Sequence, residues 1–169
     1  TLIKSFIELG ELFDNIKLVN VGKTNYRTIP KYRKWLEEKG LIKRVIFENF
    51  VNYEKLPEFY HNADVVVVPS EIYESFSYTA AQGMSCGKIV IGSDIGGIPE
   101  TLNYGKSGIL FEPGNTKSLT KNIKKVYLKK VDVELIQYNA RKYILDNFSF
   151  NALKQIYIDF YSRQLKLKK

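Results

Sequence analysis

At 169 residues, with 44% hydrophobic and 26% charged residues, the chain has the length and composition of one globular domain with a single substantial core. The longest apolar run, Val65–Val68 with Pro69 behind it, is far too short to span a bilayer, and no secretory signal opens the sequence. One cysteine, Cys86, excludes an internal disulfide and makes a reducing cytoplasm the expected compartment.

The net charge of +8 is read first as a solvated surface and second as an anionic membrane face, given Lys142, Lys154, Arg163, Lys166, Lys168 and Lys169 toward the end. Nucleic acid comes last, because the aromatic residues fall in apolar periodic positions and not in a basic cluster.

Ile3, Phe6, Ile7, Leu9 and Phe13 are spaced for an amphipathic helix, and Ile16 to Val21 is a strand ending at Gly22. Thr28 caps a helix with Pro30 in its first turn, running to Gly40. Arg44 to Glu48 is a short strand and Tyr53 to His61 a short helix. Val65 to Val68 is the most hydrophobic strand and is expected at the centre of its sheet. Ser77 to Cys86 is a helix stopped by Gly87, and Ile89 to Ile91 is the next strand. Ile98 to Leu102 is a helical turn, and Ser107 to Phe111 a last strand closed by Pro113-Gly114. Three helices follow: Thr116 to Lys129, Asp132 to Asn147, and Ser149 to about Leu167.

Helices alternating with strands over short connections predict an α/β fold, a parallel sheet with helices on both faces. The strand that should precede the first helix is absent, and in a doubly wound sheet it would be central. The natural product is therefore expected to extend upstream, and Ile16–Val21 and Val65–Val68 should flank a gap or a filling segment.

In such sheets ligands bind beyond the carboxyl ends of the strands. Pro69 to Ser77 is then a loop at the functional edge, leading into a helix whose first N–H groups suit a diphosphate. Glu74 stands just ahead of that helix and Gln82 two turns into it; on spacing alone the signal is weak, since an acidic residue there is more often a dipole partner and a mid-helix glutamine is usually solvated. Gly96-Gly97, after the next strand, permit either close approach of a ligand or a tight turn. His61 reads as a helix-end surface residue and Asp94 as a turn cap; Trp35 and Tyr32 read as helix packing. With one His and one Cys far apart there is no zinc ligand set.

Four ordered segments carry a resemblance: Ala63 to Ser70, Glu74-Ser75-Phe76-Ser77 through Gly83 to Lys88, Gly96 to Glu100, and Gly108 to Gly114. Val45-Ile46-Phe47 and Asn147-Phe148-Ser149 extend it. Together they resemble the carboxy-terminal domain of family-four retaining glycosyltransferases, which have the two-domain GT-B fold. The resemblance implies transfer of a sugar from a nucleoside diphosphate sugar to an acceptor hydroxyl, with no metal and no cofactor. In the family's pattern of two glutamates with seven residues between them, Glu74 matches the first, which contacts hydroxyls of the donor sugar. Gln82 departs from the second, which holds the ribose, and Ser77 stands where glycine is common beside the phosphates. The donor-binding candidates are therefore Glu74, Ser75, Phe76, Ser77, Tyr78, Gln82, Gly96 and Gly97, with Gly22 and, near the base, Asn49, Phe50 and Val51; Glu74 is the catalytic candidate.

The family's diphosphate-clamping Arg and Lys precede the matched segments, so residues 1–169 are expected to be one nucleotide-sugar-binding domain, with the acceptor domain outside the chain and no turnover alone. Composition and family habit suggest bacterial surface polysaccharide synthesis on a lipid-linked or saccharide acceptor, at the inner membrane face. The rival readings are another GT-B enzyme, such as an epimerase or phosphorylase, and a donor-binding or interaction module silenced by Gln82.

Overall fold

The alternation of elements builds two parallel sheets. The computed structural model describes residues 1–22 and 28–166; Leu167, Lys168 and Lys169, where the last helix and the basic tail were expected to end, lie outside the described residues. Helix α1 (Leu2–Gly10) leads to β1 (Leu18–Val21), α2 (Ile29–Glu38) to β2 (Val45–Glu48), and α3 (Leu56–Asn62) to β3 (Val65–Val68). Then come α4 (Tyr78–Ser85), β4 (Ile89–Ser93), the single turn α5 (Ile98–Thr101), β5 (Ile109–Phe111), α6 (Thr116–Tyr127), α7 (Val133–Phe148) and α8 (Phe150–Lys166). Among the described residues, strand β1 pairs only with β2, in the register Leu18↔Val45 to Val21↔Glu48. The other sheet has the order β3-β4-β5, with Val65↔Ile89 to Val68↔Gly92 and Ile91↔Ile109 to Ser93↔Phe111. Strands β1 and β3 belong to different sheets, so the pairing breaks where a gap was expected.

Burial on a sheet has a period of two, and β4 shows it on both sides. Val90 faces α4 and α7 with Val66, Val68, Ala80, Met84, Ala140 and Ile144. Its neighbours Ile89 and Ile91 face Phe111, Leu119 and Val126 on the other side, where α6 lies. A third cluster sets Ile3 and Phe6 of α1 and Leu36 of α2 against Leu18, Val45 and Phe47 on one face of β1–β2. Helix α1 ties the two sheets together, because Leu2 packs in the second cluster while Ile3 and Phe6 pack in the third. Each fully buried leucine or isoleucine contributes about 1.5–3 kcal/mol.

Three sequence expectations are corrected. Strand β4, buried at all five residues, is the central strand, and β3 is an edge strand buried at alternate positions. Four consecutive valines mark a strand covered on both faces, a property that hydrogen-bonded neighbours do not control. The first helix closes at Gly10 and not at Phe13, whose ring packs on Tyr127 at 4.2 Å. Strand β1 starts at Leu18, and Ile16 packs in the third cluster ahead of it. Helices flank the sheets as the alternation predicted, on both faces of β3–β5, while Val19 and Ile46 are exposed on β1–β2.

Caps fix the helix ends that the sequence marked. Ser77, Asn115 and Asp132 each accept a hydrogen bond from a backbone N–H three residues on, a cap contributing about 1 kcal/mol. Gly87, at φ 68°, closes α4 through Gly87 N–H to Met84 O (2.9 Å) and Lys88 N–H to Gly83 O (3.0 Å). Inside α4, Gly83 lets the helix lie against the sheet: a Cβ there would meet Val90 and Val66 side chains at 3.1–3.3 Å. Gly83→Val therefore overpacks this contact and should cost about 1–3 kcal/mol of stability, read as a lowered urea midpoint.

Candidate functional site

The carboxyl edge of the β3–β5 sheet carries two loops, Pro69–Ser77 after β3 and Asp94–Gly97 after β4. Ser93, buried at the end of β4, donates its hydroxyl to Val68 O (3.3 Å), and Asp94 N–H donates to Phe111 O (2.8 Å), so the three strand ends are fastened together. Above them the loops lie backbone to backbone. Gly97 N–H donates to Glu74 O at 2.7 Å. A Cβ on Gly96, at φ 60°, would stand 2.6 Å from that same oxygen, and one on Gly97 would overlap Ser75 O. The paired glycines are thus explained by the approach of the Glu74–Ser75 backbone. Of the two readings the sequence offers for this pair, the close packing of two loops is the one the geometry accounts for.

The effect is to fix Glu74. Its backbone is held by Gly97, and its carboxylate Oε1 accepts from the Ser70 hydroxyl at 2.5 Å while the side chain remains half-buried, open to the edge. Four residues later α4 begins. Ser77 is 1% exposed and its hydroxyl accepts from Ala80 N–H, so it caps the helix. The Tyr78 and Thr79 amides precede the first intrahelical bond and carry the positive end of the helix dipole. Tyr78 itself is 74% exposed at this edge, and Ser75 is exposed beside it. Phe76 serves the packing of the loop, its ring lying on Phe148 at the end of α7 and on Tyr78, both at 5.3 Å.

Gln82 lies in α4, half-buried, and its Oε1 accepts from the Tyr60 hydroxyl of α3 at 2.9 Å. That bond orients the Gln82 amide and leaves it one acceptor lone pair and two N–H donors. Burial, reinforced by Cys86, pushes the Tyr60 phenol above the ordinary tyrosine value, keeping it a neutral donor. Tyr60 is the functional neighbour that the sequence does not reveal, since nothing in spacing joins residues 22 apart on different helices.

The remaining candidates sit on the other sheet. Gly22 N–H, at the end of β1, donates to Glu48 O and Asn49 O at 3.1 and 3.2 Å, which brings Gly22 and Asn49 together. Phe50, next in line, is 80% exposed, and Val51 is half-buried. Among the described residues, no hydrogen bond or ring contact joins this group to the Glu74 loop. No group of three metal-ligating side chains occurs among the described residues.

The geometry defines an α/β domain with a polar ligand edge: a fixed carboxylate ahead of a helix start, above parallel strands. A family model described as glycosyl transferases group 1 matches residues 1–143. The chain belongs to this family, and its fold is that of the carboxy-terminal domain of GT-B glycosyltransferases. It is 30% identical over 157 residues to a glycosyltransferase of Methanocaldococcus jannaschii, covering 90% of this chain and 38% of that protein. It is 29% identical over 160 residues to the lipopolysaccharide 1,2-N-acetylglucosaminetransferase of Salmonella typhimurium, covering 91% and 42%. The crystal structure of Anabaena HepE in complex with UDP superposes with a TM-score of 0.84 at 22% identity, over 95% of this chain and 44% of that one. The chain thus spans about two fifths of the length of these curated relatives.

Gly97→Ala pushes a methyl group into Ser75 O and should cost about 1–3 kcal/mol, read as a lowered melting temperature, with Glu74 displaced in a crystal structure of the variant. The burial of the Tyr60 phenol predicts a pH dependence. A phenol with a raised folded-state pKa contributes stability that is complete below the ordinary value of 10.0 and is lost as pH rises through the raised one. The stability difference between the native chain and Tyr60→Phe should therefore be constant through neutral pH and vanish only in strong alkali, as followed by denaturant melts at stepped pH.

Proposed function

We propose that this chain is the donor-nucleotide half of a retaining, metal-independent glycosyltransferase that moves a sugar from a nucleoside diphosphate sugar to an acceptor hydroxyl. The reading is carried by one observation: Glu74 is held by Ser70 and by the Gly97 amide at the carboxyl edge, four residues ahead of the α4 amides. A carboxylate there accepts from vicinal sugar hydroxyls while the helix start takes the adjoining diphosphate. The Anabaena protein's UDP complex supports a nucleotide on this fold. Gln82 then meets the ribose through its amide, without the charge of a carboxylate, and Phe50 offers an exposed ring for the base.

In transfer, the bond from the anomeric carbon to the diphosphate oxygen breaks, and the α4 amides stabilise the departing charge. The acceptor hydroxyl attacks from the same face and gives its proton to a phosphate oxygen of the leaving group. The acceptor comes from a second domain beyond the two fifths of relatives that this chain spans. Helix α8 supports such a neighbour, because Phe150, Ile156, Tyr157, Phe160 and Tyr161 stand exposed along it. Closure of two domains would exclude water from the donor. The Salmonella relative, a lipopolysaccharide 1,2-N-acetylglucosaminetransferase, supports a saccharide or lipid-linked acceptor.

A panel of UDP-, GDP- and ADP-sugars should raise the melting temperature of the two-domain protein for one base. A ligand bound only to the folded state adds roughly 2.7 kcal/mol at a hundredfold excess over its Kd. Glu74→Gln should abolish transfer and most of that shift. Residues 1–169 alone should bind weakly and transfer nothing. Gln82 favours a second reading, a silent donor-binding module; Gln82→Glu separates the two, leaving transfer at background in a silent module and changing a measurable rate in an enzyme.

A further inference from the structure

The charge of the chain is concentrated in one place. Between Glu112 and Asp132 there are six lysines and no acidic residue, and the rest of the chain carries a net charge of only +2. Four of the six, Lys117, Lys121, Lys124 and Lys125, recur at the spacing of a single helix face on α6, opposite the buried Leu119 and Val126 and the partly buried Ile123. They line an open groove shared with Lys130, Leu128 and Glu8 of α1. Glu8, the one carboxylate there, accepts from the Thr120 hydroxyl at 2.7 Å, and none of these lysines forms an ion pair among the described residues.

The fold itself has little use for this arrangement. Like charges four residues apart repel, and a lysine in the first turn, Lys117, opposes the helix dipole; only Lys124 and Lys125, in the last turn, agree with it. Lys129 occupies the cap position after α6 at φ 52°, closing the helix by Lys129 N–H to Val126 O and Lys130 N–H to Lys125 O. That is the left-handed conformation for which glycine is the unstrained choice.

Beside the basic face stands an apolar shoulder. Leu128 is 40% exposed and Leu12 is 58% exposed. The Phe13–Tyr127 ring contact and the Tyr127 hydroxyl bond to Asn15 at 2.7 Å bring the Leu12 turn against the end of α6.

We propose that the α6 lysine face, with Leu128 and Leu12 at its end, docks on an anionic phospholipid surface. Lysines on long stems reach lipid phosphates, and leucines at their edge enter the boundary between headgroups and acyl chains, a combination for which a nucleic acid backbone has no counterpart. The contact deepens the membrane-surface reading of the net charge and moves it from the terminal basic residues to α6. It is independent of the donor site.

The test is sedimentation of the full chain with phosphatidylcholine vesicles, with and without phosphatidylglycerol, across a salt series. Binding should require phosphatidylglycerol and weaken with salt. Replacing Lys117, Lys121, Lys124 and Lys125 by Gln, which keeps helix propensity, should weaken it on the order of a hundredfold. Lys154→Gln with Arg163→Gln should leave it intact, and Leu128→Gln should weaken it severalfold. Circular dichroism matching the native chain certifies that the variants fold, and the nucleotide-sugar melting shift of the two-domain protein, measured on the α6 variant, should be unchanged. Equal binding to neutral vesicles, retention of binding in the α6 variant, or tighter binding to a phosphodiester oligonucleotide than to mixed vesicles at the same salt would each overturn the proposal.

Discussion

The hydrogen bond from Gly97 N–H to Glu74 O, at 2.7 Å, is the constraint on which the ligand edge depends. It joins the loop after β3 to the loop after β4 at a backbone distance that no side chain could tolerate, since a Cβ on either Gly96 or Gly97 would collide with the Glu74–Ser75 peptide. Everything nearby follows from it. The Glu74 carboxylate is presented at a fixed height, Ser70 can reach it, and Ser77 arrives in place to cap α4. Placing a charged group this firmly on loops requires rigid support from below, which Ser93 and Asp94 supply by tying the ends of β3, β4 and β5 together.

Around that constraint the molecule divides its labour. The β3–β5 sheet, covered on both faces, gives the carboxylate and the helix start, while β1–β2 gives a separate edge with Gly22, Asn49 and an exposed Phe50. The aromatic group of Phe76, Phe148, Tyr143 and Tyr78 links the Glu74 loop to the far end of α7, so the carboxyl-terminal helices are part of the support of the site.

Much of this is legible in the sequence because it is local. The Gly87 stop of α4, the helix starts at Ser77 and Asp132, and the parallel alternation depend on residues within a few positions of one another. The break between β1 and β3 is legible too, as a helix with no strand before it. What spacing does not show is contact between distant segments. Gly96-Gly97 offer a ligand pocket or a turn, and only the fold shows that Glu74 fills the space. Tyr60 gives no sign of its bond to Gln82. The valine run identifies a buried strand but misplaces it, since hydrophobicity reports covered faces while centrality depends on edges. The α6 lysines do not stand out beside the terminal ones, because a periodic helix with a buried stripe is explained by packing alone.

The edge position of β3 has a consequence for the chain in concentrated solution. A run of four valines with one ladder unpaired is a template onto which another extended segment can zip, the start of cross-chain fibrils during refolding or concentration. A net charge of +8 opposes this by keeping molecules apart, so the lysines that serve one surface also protect another at a distance. High salt or polyanions remove that protection, and colloidal stability then falls to whatever covers the valine edge.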